Sequence, residues 1–271
     1  MKMAVNGVVG MAPSDAMIEL PAAPGVFETL LIQAGAPVFF EDHWVRFTAG
    51  CKWYGLDLPV TPEGMSRLAA MLATENAVRT GVLRFAAWRG DKGVEWRVEA
   101  GPPRPHMARS DFRVGLGATL PPVSADRTFK HLNRGPWLQA LRAARSAGWD
   151  EAILPDQTGR IVEGCVSNVF FVRDGILHTP SVETGLLPGI MRGRVLALAR
   201  AMDWVVREES YDLEALAQAS ELWLSNSLIG LRPAVSLAGR PLEEALPVLQ
   251  QFRAVWRKEY GWDPVMVAPP T

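Results

Sequence analysis

The feature that most constrains the fold of this chain is a series of short apolar runs that end at glycine, proline, or an Asn-Gly or Asp-Gly pair. Runs of this length with such borders are typical of β-strands. Residues 26–32 form one such run, and the turn Ala34-Gly35-Ala36 leads into a second run at 37–40, which predicts a β-hairpin. Asn6-Gly7 and Asp174-Gly175 are further hairpin turn signals. The pattern therefore predicts antiparallel sheet.

Helical patterns alternate with these runs. Thr61 followed by Pro62 is typical of a helix start, with the threonine as N-cap and the proline in the first position. The sequence pattern predicts five more helices: one begins after residue 41, and the others cover 136–147, 189–202, 212–219 and 241–260. Hairpins, crossovers and helices in one chain indicate the α+β class.

The chain has 271 residues, which is enough for two domains of ordinary size. Glycines and prolines interrupt the pattern at residues 115–122, and the segment after them is richer in helix-forming residues. This change predicts an N-terminal α/β domain over residues 1–117 and a C-terminal domain over residues 118–271.

Charge and cysteine content exclude several classes of function. A net charge of -1 gives no general attraction to nucleic acid or to an anionic membrane. The two cysteines, Cys51 and Cys165, show no spacing typical of a metal site, so no metal is expected. No apolar run reaches the length that spans a membrane. We therefore expect a cytoplasmic protein that acts on a small molecule.

Lys130 is the first candidate for chemistry. It lies in Thr128-Phe129-Lys130-His131-Leu132-Asn133-Arg134 and is the only lysine between Lys92 and Lys258. Apolar surroundings lower the pKa of a lysine, and the neutral amine can then form a Schiff base with a carbonyl group. The alternative is a surface lysine in a loop, and the segment taken alone favours that alternative.

Three later segments favour the Schiff-base interpretation of Lys130 over the surface-lysine interpretation. Glu163, between a strand and small residues, could pair with a ring nitrogen, or could be an ordinary turn residue. Leu187-Pro188-Gly189 precedes a helix whose first N–H groups suit a phosphate, although this is also a common helix start. Ser225-Asn226-Ser227 could reach a phosphate or carboxylate, or cap a turn. Together with Lys130, these segments describe a pyridoxal phosphate (PLP) site.

The motifs, in this order, resemble those of fold-type IV PLP enzymes, the class that contains branched-chain aminotransferases, D-amino acid aminotransferases and 4-amino-4-deoxychorismate lyase. The resemblance extends from about residue 26 to residue 235. It depends on Gly25-Val26-Phe27-Glu28-Thr29-Leu30 with His43 and Arg46, on residues 130–133, on residues 163–171, and on Leu187-Pro188-Gly189-Ile190.

The resemblance implies a two-domain fold like that of D-amino acid aminotransferase, with the active site between the domains and PLP bound to the second domain, near whose start the lysine lies. It implies a homodimer. Lys130 would be the Schiff-base lysine and proton shuttle, and Glu163 would pair with the pyridine nitrogen. The cofactor-binding set it implies is Arg46, Lys130, Glu163, Ser167, Asn168, Ile190, Met191, Asn226 and Ser227.

Within this family, Lys130-His131-Leu132-Asn133-Arg134 is similar to the lyases, as are Ser225-Asn226-Ser227-Leu228 and Arg232-Pro233. The resemblance therefore implies a lyase that converts 4-amino-4-deoxychorismate to 4-aminobenzoate and pyruvate in folate biosynthesis. The alternative is an aminotransferase of D- or branched-chain amino acids with a 2-oxo acid acceptor. Residues 19–24 and 91–94 depart from the lyase pattern. A non-catalytic relative is a third hypothesis, which the intact Lys130 and Glu163 argue against.

The substrate of such a lyase carries two carboxylates. A guanidinium group can bind a carboxylate through two parallel hydrogen bonds, so arginines are the natural substrate contacts. The alternative for each arginine is a structural ion pair. The candidates are Arg84, Arg89, Arg134 and Arg232.

Overall fold

The structure is a computed structural model that describes residues 1–13 and 19–264. The chain divides into two compact units. The first contains Met1–Met107 and Phe129–Asn133, and the second contains Ala108–Thr128 and the described residues from Arg134 onwards. No helix in the described residues combines the length and apolar character needed to cross a bilayer.

Among the described residues, the first unit contains a six-stranded sheet and two α-helices. Its strands are β1 (Lys2–Val5), β2 (Val8–Met11), β3 (Gly25–Gln33), β4 (Ala36–Pro37), β5 (Gly81–Gly90) and β6 (Gly93–Gly101). They are antiparallel in the order β2-β1-β6-β5-β3-β4. The helices are α1 (Phe40–Trp53) and α2 (Pro62–Glu75). Both pack on the sheet, and their apolar side chains form one core with Phe85 and its neighbours.

Local sequence explains most of these boundaries. The turn at Asn6-Gly7 has positive φ at both residues, as a two-residue hairpin of type I′ requires. The Thr61 side chain accepts a hydrogen bond from Gly64 N at 3.1 Å and so caps α2, as predicted. The return strand predicted at 37–40 is wrong in extent: β4 ends at Pro37, because Phe39 with φ 54° turns the chain directly into α1.

In the part of the second unit that the structure describes, there are a nine-stranded sheet and four α-helices. Its strands are β7 (Phe112–Leu116), β8 (Glu151–Pro155), β9 (Ile161–Gly164), β10 (Asn168–Arg173), β11 (Ile176–Pro180), β12 (Val206–Glu209), β13 (Glu221–Asn226), β14 (Gly230–Leu237) and β15 (Arg240–Pro241). The order is β12-β11-β10-β13-β14-β7-β8-β9, with β15 paired to β14. The helices are α3 (Gly135–Ser146), α4 (Ile190–Ala201), α5 (Leu213–Ala217) and α6 (Pro247–Tyr260).

Three features of the second unit differ from the sequence analysis. No strand was predicted at β14; in the structure Pro233 of this strand pairs with Trp223 inside the sheet. The last helix begins at Pro247 rather than at residue 241. Strand β7 is parallel to both β8 and β14, so residues 108–117 group with the second unit rather than with the predicted domain of residues 1–117.

Candidate active site

Main-chain hydrogen bonds attach the Lys130 segment to the start of β3, within the first unit. Phe27 N donates to Lys130 O at 2.9 Å, and Leu132 N donates to Gly25 O at 2.9 Å. The Lys130 Nζ lies 4.9 Å from the centroid of the Phe27 ring, within the range of a cation–π contact. Strand-like pairing therefore holds the main chain at Lys130, although the residue lies in a loop.

A buried cluster of Glu28, His43 and Arg46 lies in the same unit. Arg46 Nε donates to Glu28 Oε1 and Arg46 Nη2 donates to Glu28 Oε2, both at 2.7 Å. The His43 Nδ1 lies 2.6 Å from Glu28 Oε2. Glu28 is 1% exposed. Bidentate pairing of this kind fixes the plane of a guanidinium group, so Glu28 determines how Arg46 is presented.

The charges of this cluster are mutually dependent. Burial alone would raise the pKa of Glu28, but the positive charges of Arg46 and His43 and the hydrogen bonds from both lower that pKa to about 2. Burial lowers the pKa of His43, and the positive charges of Arg46 and Lys130 lower it further, whereas Glu28 raises it. His43 is therefore neutral near pH 7, and its Nδ1–H donates to the Glu28 carboxylate.

Sequence reasoning selected Arg46 and missed Glu28. The available signal was a carboxylate inside the apolar run at residues 26–32, which a buried strand accepts only when the charge is paired.

In the second unit, Glu163 lies on β9 with its side chain directed at three donors. Trp137 Nε1 donates to Glu163 Oε1 at 2.8 Å and Leu187 N donates to Oε2 at 3.0 Å. Arg134 Nη2 lies 3.8 Å from Oε1, and the Arg134 guanidinium lies over the Trp137 ring at 4.4 Å. Trp137 was not predicted as a partner.

Helix α4 begins at Ile190, and its N-cap, Gly189, supplies no side-chain hydrogen bond. The first N–H groups of a helix, here those of Ile190 and Met191, have no acceptor within the helix, and the helix dipole favours an anion beside them. A Cβ at Gly189 would clash with Asn168 Oδ1, so a larger residue would have to displace the Asn168 side chain. Asn168 Nδ2 also donates to Leu187 O at 2.9 Å and fixes the approach to the helix.

The end of β13 lies beside the same asparagine. Ser225 pairs with Asn168 across the β10–β13 ladder. The Ser225 Oγ is buried, and no residue that the structure describes supplies it with a hydrogen-bond partner. Asn226 Oδ1 accepts from Leu228 N at 2.9 Å and from Ile229 N at 3.0 Å, and its Nδ2 donates to Val166 O. Asn226 therefore shapes the turn that carries Ser227.

A second buried carboxylate, Glu151 on β8, supports the segment after Glu163. Its Oε1 accepts from Val166 N at 2.8 Å and from the Ser167 hydroxyl at 2.9 Å. Burial raises the pKa of Glu151 to about 7, against the lowering effect of these two hydrogen bonds. The turn that contains Ser167 is thus held by a group that changes charge near neutral pH.

Glu151→Gln is expected to change how stability depends on pH. The pKa of Glu151 in the folded protein, about 7, exceeds its value of 4.5 in the unfolded chain. Its contribution to the free energy of unfolding is therefore fully present below pH 4.5 and is lost as the pH rises to about 7. Relative to wild type, the variant should be more stable above pH 7 by up to about 3 kcal/mol, and the difference should vanish near pH 4.5. Urea unfolding across this range measures it, with exposed Glu259→Gln as control. A difference independent of pH would contradict the prediction.

The four candidate substrate arginines occupy different environments. Arg84 pairs with Thr29 across β3 and β5, and Thr29 lies two residues after Phe27. The side chain of Arg84 therefore lies on the same sheet face as the Phe27 ring, which contacts Lys130. Its Nη2 pairs with Glu99 Oε2 at 2.6 Å. Arg89 is exposed and donates to the carbonyl oxygens of Tyr54 and Gly55.

The other two candidates lie in the second unit and are buried. Arg134 contacts Glu163 and Trp137, as described above. Arg232 is 0% exposed and donates to Leu231 O at 3.3 Å and Pro264 O at 3.2 Å, and burial lowers its pKa to about 10. These contacts favour structural roles for both residues, and their roles as substrate contacts stay predictions.

The chemistry of these groups fits PLP. The donor set of the second unit combines a carboxylate that can accept a ring N–H, helix N–H groups that suit a phosphate, and an orphaned serine hydroxyl beside them. The first unit supplies an amine and an oriented guanidinium group. Within residues 1–13 and 19–264, no group of three or more His, Cys, Asp or Glu side chains is arranged to hold a metal ion.

Comparisons with known proteins agree with this assignment. The sequence model of the family described as amino-transferase class IV matches residues 25–237. The chain is 38% identical over 222 residues to the branched-chain-amino-acid aminotransferase of Escherichia coli K12, which covers 75% of this chain and 72% of that protein. It is 26% identical over 226 residues to the aminodeoxychorismate lyase of Bacillus subtilis, which covers 77% of this chain and 76% of that protein.

Solved structures share the fold. The branched-chain aminotransferase of the archaeon Thermoproteus uzoniensis, solved with norvaline, matches with a TM-score of 0.84 at 24% identity, over 95% of this chain and 94% of that chain. The branched-chain aminotransferase of Escherichia coli matches with a TM-score of 0.83 at 22% identity, over 96% and 93% of the two chains. These likenesses confirm the predicted α+β fold of type IV.

Proposed function

Because this chain belongs to the class IV aminotransferase family of PLP-dependent enzymes, we propose that it is a lyase that converts 4-amino-4-deoxychorismate to 4-aminobenzoate and pyruvate. The observation that carries the proposal is that Arg84 lies on the same sheet face as Phe27, whose ring Lys130 contacts, because a guanidinium group on that face suits a substrate with a second carboxylate. The similarity of Lys130-His131-Leu132-Asn133-Arg134 to the lyases and the likeness to the Bacillus subtilis lyase support it. We place the enzyme in folate biosynthesis, in the cytoplasm and as a homodimer.

Each site residue has a proposed role in the reaction. Bound PLP supplies an electron-withdrawing ring that weakens the bonds to the carbon carrying the substrate amine. Lys130 would hold the cofactor, and its Nζ would take the proton from the substrate carbon that carries the amine, before pyruvate leaves. Glu163 keeps the ring nitrogen protonated, because a carboxylate stabilises the adjacent positive charge.

We propose that the remaining residues hold the cofactor. Arg46, oriented by Glu28, binds the phosphate together with the N–H groups at the start of α4. Asn168 and Asn226 position the segments beside it, and Ser167 supports the strand that carries Glu163. The proposed phosphate contacts are Arg46, Ile190, Met191 and Ser227.

A second candidate function is an aminotransferase of D- or branched-chain amino acids. The 38% identity to the Escherichia coli branched-chain enzyme favours it, since this value exceeds the 26% identity to the lyase. The same lysine and glutamate serve both reactions, so these residues do not discriminate between them.

One pair of incubations separates the two functions. With aminodeoxychorismate we expect pyruvate release with no amino acceptor present, measured by coupling to lactate dehydrogenase. With leucine, valine or D-alanine plus 2-oxoglutarate we expect no glutamate above the level of a Lys130→Ala blank. Rapid glutamate formation without pyruvate release from aminodeoxychorismate would establish the aminotransferase and refute the lyase.

A further inference from the structure

Trp137 connects two buried arginines to the Glu163 carboxylate. It lies in the first turn of α3, and its Nε1 donates to Glu163 Oε1 at 2.8 Å. The guanidinium carbons of Arg134 and Arg127 lie 4.4 Å and 5.1 Å from the centroid of its ring. All three residues are more than nine-tenths buried. One indole ring therefore contacts two cations through its π system and one carboxylate through its N–H group.

Each arginine is held by a main-chain carbonyl group as well as by the indole. Arg127 Nη2 donates to Pro121 O. Arg134 Nη2 donates to Cys165 O at 3.5 Å and lies 3.8 Å from Glu163 Oε1, the oxygen that also accepts from the indole. These contacts keep both positive charges in place beside the indole ring.

The charges around Glu163 favour its ionised form. Glu163 is buried, and a buried carboxylate stays ionised only where donors or cations compensate its charge. Burial lowers the pKa of Arg127, whereas the negative charges of Glu163 and Asp126 raise it, so Arg127 and Glu163 attract each other. Burial and, as a smaller effect, the charge of Glu163 raise the pKa of Glu151, so these two carboxylates repel each other. The positive charges of the arginines offset this repulsion.

A cation over an indole ring strengthens the indole N–H group as a donor. The cation polarises the ring, and polarised groups in series strengthen one another's hydrogen bonds. The Trp137 N–H group therefore transmits part of the arginine charge to Glu163 Oε1. The other oxygen of Glu163 accepts from Leu187 N at 3.0 Å, so the plane of the carboxylate is held at both oxygens.

The charge of Glu163 determines where a shared proton resides. A buried carboxylate next to a pyridine nitrogen can form an ion pair, with the proton on nitrogen, or a neutral pair, with the proton on oxygen. Groups that donate to the carboxylate stabilise its negative charge, and so they favour the ion pair.

We propose that Trp137 is a positioning residue through which Arg127 and Arg134 keep Glu163 ionised and its plane fixed, so that the proton shared with the pyridine nitrogen of PLP stays on that nitrogen. This role of Trp137 rests on the role proposed for Glu163, and it is the same in a lyase and in an aminotransferase. Arg134 then acts on the cofactor through Glu163 and Trp137 rather than on the substrate.

The protonation of the cofactor ring tests the role of Trp137 without turnover. The full chain is loaded with PLP that carries ¹⁵N in its ring, and the ¹⁵N resonance reports whether that nitrogen is protonated. Wild type should give the protonated signal at neutral pH. Trp137→Phe keeps an aromatic ring but loses the N–H group, so the ratio of protonated to unprotonated nitrogen should fall roughly ten- to a hundredfold, the range expected for one hydrogen bond to a charged group. Trp137→His keeps a ring N–H group and should retain most of the wild-type ratio.

Trp223→Phe is the matched control. Trp223 is also buried in the second unit, and its Nε1 donates to a buried glutamate, Glu221 Oε2, at 2.9 Å. Glu221 accepts further hydrogen bonds from Val248 N and Leu249 N at the start of α6, and it lies outside the proposed cofactor-binding set. The control removes the same type of hydrogen bond and should leave the ¹⁵N signal as in wild type.

Arg127→Gln tests whether the indole is the link. The substitution should lower the ratio of protonated to unprotonated nitrogen in the wild-type chain. It should have little further effect in Trp137→Phe, because no N–H group remains there to transmit the charge. Equal effects in the two backgrounds, or no effect in the wild-type chain, would overturn the role of Trp137 as the link.

Glu163→Gln separates the role of Trp137 from the roles on which it rests. This variant should lose the protonated signal. If it does, but Trp137→Phe keeps the full wild-type signal, the role of Trp137 is refuted and that of Glu163 stands. If Glu163→Gln keeps the signal, both roles are refuted. A signal that depends on Trp137 in an enzyme that releases no pyruvate would support the role of Trp137 and refute the lyase. Circular dichroism verifies that each variant is folded, and Arg127→Gln decides the matter if Trp137→Phe is not.

Discussion

Lys130→Ala should abolish turnover, with kcat/KM lower by at least roughly 10²–10⁴-fold, because the proposed proton transfer at the substrate carbon then has no base. The visible absorbance of the bound cofactor should also disappear. After borohydride treatment and proteolysis, wild type should carry the reduced cofactor on the peptide that contains Lys130, and the variant should carry none.

The matched control for this lysine is Lys52→Ala. Lys52 is an exposed lysine in the last turn of α1 in the same unit, so its removal changes the net charge equally. It should retain colour and turnover. Retained turnover in Lys130→Ala, with Lys52→Ala as reference, would refute the assignment of the reactive lysine and the reaction proposed from it.

Glu28→Gln should lower the free energy of unfolding by about 3–5 kcal/mol, the usual effect of removing one partner from a buried ion pair. An amide cannot accept from both Arg46 and His43 with the strength of a carboxylate, so the Arg46 charge is left poorly compensated. The corresponding drop in melting temperature is roughly 10 °C. The affinity for inorganic phosphate should also fall, because Arg46 loses its orientation.

The pH dependence provides a separate test of Glu28. Its folded pKa of about 2 lies below the unfolded value of 4.5, so its contribution is present above pH 4.5 and is lost as pH falls towards 2. Wild type and Glu28→Gln should therefore converge in stability on acidification. The exposed Glu259→Gln should track wild type throughout. A Glu28→Gln variant as stable as wild type at pH 7 would show that the cluster is not a structural anchor.

The elements predicted correctly are those whose ends are determined locally. Thr61 and Pro62 start α2, and Asn6-Gly7 forms the first turn, because capping and positive φ depend on the residues themselves. Strand β14 was not predicted, because its place in the sheet depends on pairing with β13 and β7, which are distant in sequence.

The residues of the candidate site also fall into those that the sequence could identify and those that it could not. Lys130 and Glu163 could be selected because their residue types and order match known motifs. The supporting partners could not: Glu28 reaches Arg46 across 18 residues, and Trp137 reaches Glu163 across 26.

The pairing of the Lys130 segment with β3 affects which chimaeras between this protein and its relatives can form the site. Phe129–Asn133 belongs to the first unit, although the residues on both sides belong to the second. The first 107 residues therefore lack one segment of their own compact unit. In a chimaera joined at residue 107, the lysine segment of one parent must pair with β3 of the other parent. In this pairing the main-chain N–H groups of Phe27 and Leu132 are donors, and every residue except proline has such a group. We expect such recombinants to keep the lysine in place unless proline occurs at position 27 or 132.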